Sequence, residues 1–185
     1  DPNRLLPTLD APGGAVVLLD PMVGSVVAMA SYPSYDPNDS IGGFSFEQWT
    51  ALNDPANDLP MFNRAIQGEY APGSTFKLFT AHAAWHEEVF GVGAVPRADD
   101  PWDDPGAYVL RACGDVDPTD PPPGCRYRNA GEKQYERVDL TRSLTVSSDV
   151  YYYRIGESIY TNPGHPDTAI QDAATEYGLG LESGI

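Results

Sequence analysis

The stretch Gly68-Glu69-Tyr70-Ala71-Pro72-Gly73-Ser74-Thr75-Phe76-Lys77 decides how this chain is read, because it sets a hydroxyl and an amine three residues apart where a helix begins. Pro72 and Gly73 break the preceding chain. From Ser74 onward, Thr75, Phe76, Leu78, Phe79, Ala81, Ala83, Ala84 and Trp85 give a mostly apolar run, which predicts a helix from Ser74 to about Glu88, ending before Gly91. Positions i and i+3 share a helix face, so the Lys77 amine comes up beside the Ser74 hydroxyl. A first-turn serine also lies among backbone N–H groups that lack an intrahelical partner and favour negative charge. A serine hydroxyl attacks only when something takes its proton. A lysine does this only when burial or a neighbouring cation brings its pKa toward neutrality, and the apolar run predicts burial here. An N-cap serine followed by a surface lysine has the same spelling, so the assignment depends on its surroundings.

Those surroundings are globular and acidic. The 185 residues suit one ordinary domain or a piece of a larger one, and 41% hydrophobic content is enough for a core. With 11 Lys+Arg against 27 Asp+Glu and a formal net charge of −16, the chain has no broad basic surface for nucleic acid or anionic lipid. No apolar run reaches the ~20 residues needed to cross a membrane, and no signal-peptide pattern opens the chain, so an anchor would lie outside it. The Pro-rich residues 1–14 begin without methionine, as expected of a fragment or a processed chain. Cys113 and Cys125 flank a Pro- and Asp-rich loop, and a disulfide between them in an oxidising compartment would offset about 3 kcal/mol of loop disorder; two free thiols are the alternative.

Taken in order, Ala15–Leu19 and Ser25–Ala30 are β-prone runs joined by the turn Asp20-Pro21-Met22-Val23-Gly24, which predicts a β-hairpin. The runs are continuously apolar, so both faces should be covered within a larger sheet. A short helix is expected around Phe46 to Asn53, after a Tyr/Pro/Asp/Asn/Gly connection. Residues 91–131 lack periodicity, hold the acidic pairs Asp99-Asp100 and Asp103-Asp104, and read as a solvated loop insertion with no calcium-ligand spacing. His82 and His86 stand four apart, but no glutamate follows His82, so the zinc-protease pattern fails and no metal is expected. Val138–Val146 reads as an amphipathic helix leading into Ser147-Ser148-Asp149, where Ser148 or Asp149 would cap a second helix beginning at Val150. Tyr151-Tyr152-Tyr153 suits a core better than a stacking platform, because only Arg154 lies close by. A last helix spans about Thr168 to Tyr177, and Gly178-Leu179-Gly180 terminates it rather than binding a dinucleotide.

In combination these pieces resemble the transpeptidase domain of a class B penicillin-binding protein. The resemblance covers nearly the whole chain: Gly14–Pro21, Ala28–Asn38, the run Asn63-Arg64-Ala65-Ile66-Gln67-Gly68 through Lys77, and Ser147-Ser148-Asp149-Val150-Tyr151-Tyr152-Tyr153. The family's second motif is S-x-N or S-x-D between two helices, and its third is K-T-G on a strand. The last lysine here is Lys133, so no K-T-G follows Ser147. The implied fold is α+β, an antiparallel sheet covered by helices. Residues 1–185 would be its N-terminal part, lacking the C-terminal strands and needing them for stability and activity.

The resemblance implies acyl transfer in peptidoglycan cross-linking without a cofactor. Ser74 would be the nucleophile toward a D-Ala-D-Ala stem peptide, and β-lactams would acylate it. Lys77 would be its base, Ser147 a proton relay to the leaving amine, and Asp149 would orient Lys77 or the substrate amide; as a carboxylate where many relatives carry asparagine, it would also help keep Lys77 charged. The oxyanion would lie against the Ser74 N–H and a second N–H from the K-T-G strand. The expected setting is the extracytoplasmic face of a bacterial membrane, beside a cell-wall glycosyltransferase. The rivals are a class D β-lactamase or D-Ala carboxypeptidase on the same scaffold, and a non-enzymatic β-lactam sensor or cell-wall scaffold protein.

Overall fold

The computed structural model describes residues 11–89 and 102–182, which divide into two compact units, one up to Ala71 and the other from Pro72. The proline-rich opening over residues 1–10 and the pair Asp99-Asp100 lie outside the described residues.

The first unit is built on the expected hairpin, in which β1 (Gly14–Leu19) pairs antiparallel with β2 (Val26–Tyr32) from Gly14 opposite Tyr32 to Leu19 opposite Val26. Asp20 makes the turn. Its carboxylate accepts the Met22 N–H and its carbonyl the Gly24 N–H, each at 2.8 Å, and Gly24 takes the left-handed φ of 72° that favours glycine. Next come α1 (Phe46–Leu52), opened by a Ser45/Gln48 capping box, and the one-turn helix α2 (Arg64–Gln67). α2 is fastened to the hairpin through Ser31, whose Oγ accepts the Arg64 N–H at 3.0 Å and donates to the Phe62 carbonyl. Gly13 is needed beside it, because a Cβ there would run into the Arg64 guanidinium.

The covered sheet expected from the apolar runs is not what the described residues form. The strands make three separate two-stranded pairs, and successive residues Val16 and Val17, on opposite faces of β1, are both exposed, at 68% and 41%. The single turn of α2 packs on the pair and leaves most of its apolar side chains exposed.

The second unit holds the helices α3 (Lys77–His86), α4 (Leu140–Val146), α5 (Asp149–Thr161) and α6 (Ala169–Glu176). Ala81, Ala83 and Ala84 of α3, with Ala169 and Ala173 of α6, are buried, and these small side chains let the helices approach closely around Tyr151, Tyr152, Ile155 and Ile159. Tyr151 and Tyr152 belong to this core, while Tyr153 is 38% exposed and leans on the Tyr127 ring. Val138, expected in a helix, instead ends a strand, and α4 starts two residues later behind the N-cap Asp139.

The described part of the predicted loop insertion also carries paired strands. β3 (Trp102–Asp104) pairs with β6 (Tyr135–Val138), and β4 (Ala107–Val109) pairs with β5 (Arg126–Arg128). Three-residue strands are too short to show a period in sequence. Asp104, read as solvated, is 2% exposed because β3 turns it inward. Cys113 and Cys125 are joined by a disulfide that closes the acidic loop after β4.

Tyr108 ties this region to α5. Its hydroxyl donates to the Glu157 carboxylate, which also accepts the Ala112 N–H. Burial first, then the Glu157 hydrogen bond and charge, push the Tyr108 phenol from its ordinary 10.0 up to about 12. Between those values the unfolded chain releases a proton that the folded chain keeps, so stability present below about pH 10 is lost as pH rises toward 12. Thermal unfolding of the full-length protein should therefore weaken across that window, and Tyr108→Phe should flatten the fall without removing it, since burial shifts Tyr151 and Tyr152 in the same direction.

Candidate active site

Ser74 lies in a 3-10 turn, Gly73–Phe76, and α3 proper begins at Lys77. This differs from a helix starting at Ser74, and it strengthens the pairing, because in 3-10 geometry i and i+3 eclipse one another. The Lys77 Nζ is 3.2 Å from the Ser74 Oγ. Gly73 permits the turn with its left-handed φ of 56°. Ser74 is exposed, whereas the Lys77 side chain is only 10% exposed. An exposed hydroxyl thus faces outward from a buried amine.

The α4–α5 junction supplies the opposite wall. Ser147 is the C-cap of α4 in a left-handed conformation, φ 55° and ψ 47°, which is uncommon for a serine. That conformation turns both its carbonyl and its hydroxyl toward Lys77, at 2.8 Å and 2.9 Å from Nζ. Ser147 Oγ also donates to Ser74 Oγ at 2.9 Å. Asp149, the first residue of α5, places Oδ1 2.6 Å from Nζ, with its side chain 31% exposed. Four oxygens therefore surround the Lys77 nitrogen, more acceptors than a lysine has hydrogens. The longest contact is the one to Ser74. The Tyr152 ring forms the floor, its centroid 5.8 Å from Nζ, and burial pushes its phenol pKa up so that it stays neutral.

Ser74, Lys77, Ser147 and Asp149 thus come together in one cluster, all within the second unit. Chemically, the cluster can move a proton among two hydroxyls and an amine within hydrogen-bond reach, beside an exposed oxygen nucleophile. The two histidines of α3 stand elsewhere. His82 Nε2 meets Glu176 at 3.1 Å, and His86 Nδ1 meets Glu87 at 3.1 Å. Among the described residues no group of three or more His, Cys, Asp or Glu side chains is arranged to hold a metal ion.

Behind the junction stand three residues that no motif flagged as a group. Ser148, fully buried, caps α5 by accepting the Tyr151 N–H at 3.0 Å and donates to Asp104 Oδ2 at 2.6 Å. Asn129, 4% exposed, accepts the N–H groups of Asp149 and Val150 and donates to Asp104. The one sequence hint was Asp104-Pro105-Gly106, a turn spelling in which the aspartate accepts the N–H two residues on, here Gly106 at 2.8 Å.

Comparison with known proteins points one way. The family described as the penicillin binding protein transpeptidase domain matches residues 14–95. The peptidoglycan D,D-transpeptidase MrdA of Haemophilus influenzae is 35% identical over 174 residues, covering 93% of this chain and 23% of that protein. Among solved structures, Pseudomonas aeruginosa PBP2 in complex with WCK 5153 is 29% identical with a TM-score of 0.68, over 91% of this chain and 33% of that one. Helicobacter pylori PBP2 gives a TM-score of 0.70 at 22% identity over 92% of this chain and 28% of the other, a likeness of fold. The chain spans about a quarter of the length of the curated relative.

Proposed function

We propose that this chain, which matches the penicillin binding protein transpeptidase domain over residues 14–95 and is 35% identical to a peptidoglycan D,D-transpeptidase over 174 residues, is part of a class B penicillin-binding-protein transpeptidase domain and carries its nucleophile and proton-transfer residues. The observation that carries this reading is the single cluster in which the Lys77 Nζ lies within 3.2 Å of both Ser74 Oγ and Ser147 Oγ, with the two hydroxyls 2.9 Å apart.

In this reading Ser74 Oγ attacks the penultimate D-Ala carbonyl of a stem peptide. The O–C bond forms as the Ser74 proton passes, directly or through Ser147, to Lys77, which can take it only after giving up one of its own. The tetrahedral oxyanion is held by the Ser74 N–H and a second N–H from the family's K-T-G strand, a motif that these 185 residues do not contain. Collapse breaks the C–N bond to the terminal D-Ala, and the proton returns through Ser147 to the leaving amine. An amine of a second stem then attacks the ester and gives up its proton to the same relay, and Ser74 departs with a hydrogen restored. Asp149 holds the Lys77 nitrogen in place throughout. A β-lactam acylates Ser74 by ring opening.

The implied setting is the extracytoplasmic face of a bacterial membrane, with a cell-wall glycosyltransferase as working partner and residues 1–185 forming part of the transpeptidase domain. A D-Ala carboxypeptidase or class D-like β-lactamase would use the same cluster and hand the acyl group to water. An intact and mutually hydrogen-bonded Ser74, Lys77 and Ser147 disfavours a scaffold that has lost its chemistry, whereas a β-lactam sensor would retain the same set. The test is to incubate the full-length protein with a fluorescent penicillin and map the labelled peptide. A stable adduct on Ser74 is expected; a protein whose Ser74 stays unmodified is not an acyl-transfer enzyme of this class. Rapid loss of the adduct to water would point to the lactamase instead.

A further inference from the structure

Ser147 and Asp149 meet Lys77 only because the short turn between α4 and α5 is held in one place. The turn is closed in part by its own backbone, the Ser147 N–H reaching the Leu144 carbonyl at 3.3 Å and the Ser148 N–H the Ser143 carbonyl at 3.0 Å. These bonds fix the end of α4 but not where α5 starts, and the left-handed φ of 55° at Ser147 is unfavourable for a serine, so a clamp on the α5 side adds what the turn lacks. Asn129 is placed to be that clamp: its Oδ1 accepts two consecutive N–H groups from the first turn of α5, Asp149 at 2.8 Å and Val150 at 3.0 Å. One oxygen bound to two successive N–H groups fixes the helix end in direction as well as distance.

The amide that does this has a single tolerable orientation. Its nitrogen donates to Asp104 Oδ2 at 2.9 Å and to the Lys133 carbonyl at 2.8 Å. Turning it over would set its oxygen against a carboxylate and a carbonyl, and its nitrogen against two N–H groups. Asp104 locks the arrangement further by accepting the Gly106 N–H and the Ser148 hydroxyl, which itself caps α5. Asp104, Asn129 and Ser148 are 2%, 4% and 0% exposed, so water does not compete for these bonds.

We propose that Asn129, oriented by Asp104, is a positioning residue for acyl transfer at Ser74: it sets where Ser147 and Asp149 stand relative to Lys77 without touching the reacting atoms. This assignment rests on the function proposed above. A misplacement of about 1 Å in a reacting group costs on the order of 100-fold in rate, whereas loss of a structural clamp alone lowers the folded fraction.

The experiment uses the full-length protein and a fluorescent penicillin, measuring separately the labelled fraction, the affinity before covalent bond formation, and the acylation rate constant. N129A is expected to label to the wild-type extent with wild-type affinity, at a rate constant lower by about 10- to 100-fold. N129D, which faces a second carboxylate onto Asp104 and an oxygen onto the Lys133 carbonyl, should also be slow. If N129A labels a smaller fraction at the wild-type rate constant, the cluster only supports the fold and the assignment is wrong. A wild-type protein whose Ser74 does not label overturns the acyl-transfer reading and this assignment together, whereas wild-type labelling with N129A unimpaired overturns this assignment alone.

Discussion

Ser74→Ala in the full-length protein is expected to lower penicillin acylation by at least about 10,000-fold, because it removes the hydroxyl proposed to form the ester and leaves Ser147, the other hydroxyl of the cluster, in its relay position. Its folding stability should stay within about 0.5 kcal/mol of the parent, since Ser74 is exposed. The measurement is fluorescent labelling alongside thermal unfolding. Labelling that persists elsewhere in the chain at a comparable rate would remove Ser74 from the chemistry. A large loss of stability would mean that the hydroxyl has a structural task which its exposure hides.

Lys77→Arg should lower the acylation rate constant by about 1,000-fold, within the range over which a positioned general base acts. Arginine keeps a cation among Ser74, Ser147 and Asp149 but stays protonated, so it cannot accept the Ser74 hydrogen. The substitution therefore separates base from counter-charge: a variant that acylated at near the parent rate would leave Lys77 an electrostatic part only. Lys77→Ala is the less informative change, because it also strips Asp149 of the cation 2.6 Å away and leaves a void in a site that is otherwise filled. Residues that act as a unit give non-additive losses, so the double variant of Ser74→Ala and Lys77→Arg should be no slower than Ser74→Ala alone.

Much of this architecture could be read locally. Asp20, Pro21 and Gly24 spell a turn between two apolar runs, and the hairpin follows. The Ser74 to Lys77 spacing puts two groups on one face, and they meet. Ser148 ahead of a helical run caps it. What could not be read was set by distant parts of the chain. Asp104 looks like one more carboxylate on an acidic loop until β3 pairs with β6 and turns it inward to meet Asn129, 25 residues on, and Ser148, 44 on. No periodicity spans such separations. The exposed apolar strands mark the opposite failure: the pattern calls for cover on both faces, and pattern alone does not say which residues provide it.

The left-handed conformation of Ser147 sets stability and activity against each other at one position. Holding a non-glycine residue there costs on the order of 1–2 kcal/mol, and glycine, the residue that relieves this strain, brings no hydroxyl. Selection for a more robust fold would favour glycine at 147, while selection for proton transfer would keep serine. If Ser147 relays protons as proposed, random screens for thermal tolerance should drift toward inactive proteins through this turn, and stabilised variants are better sought at positions remote from it.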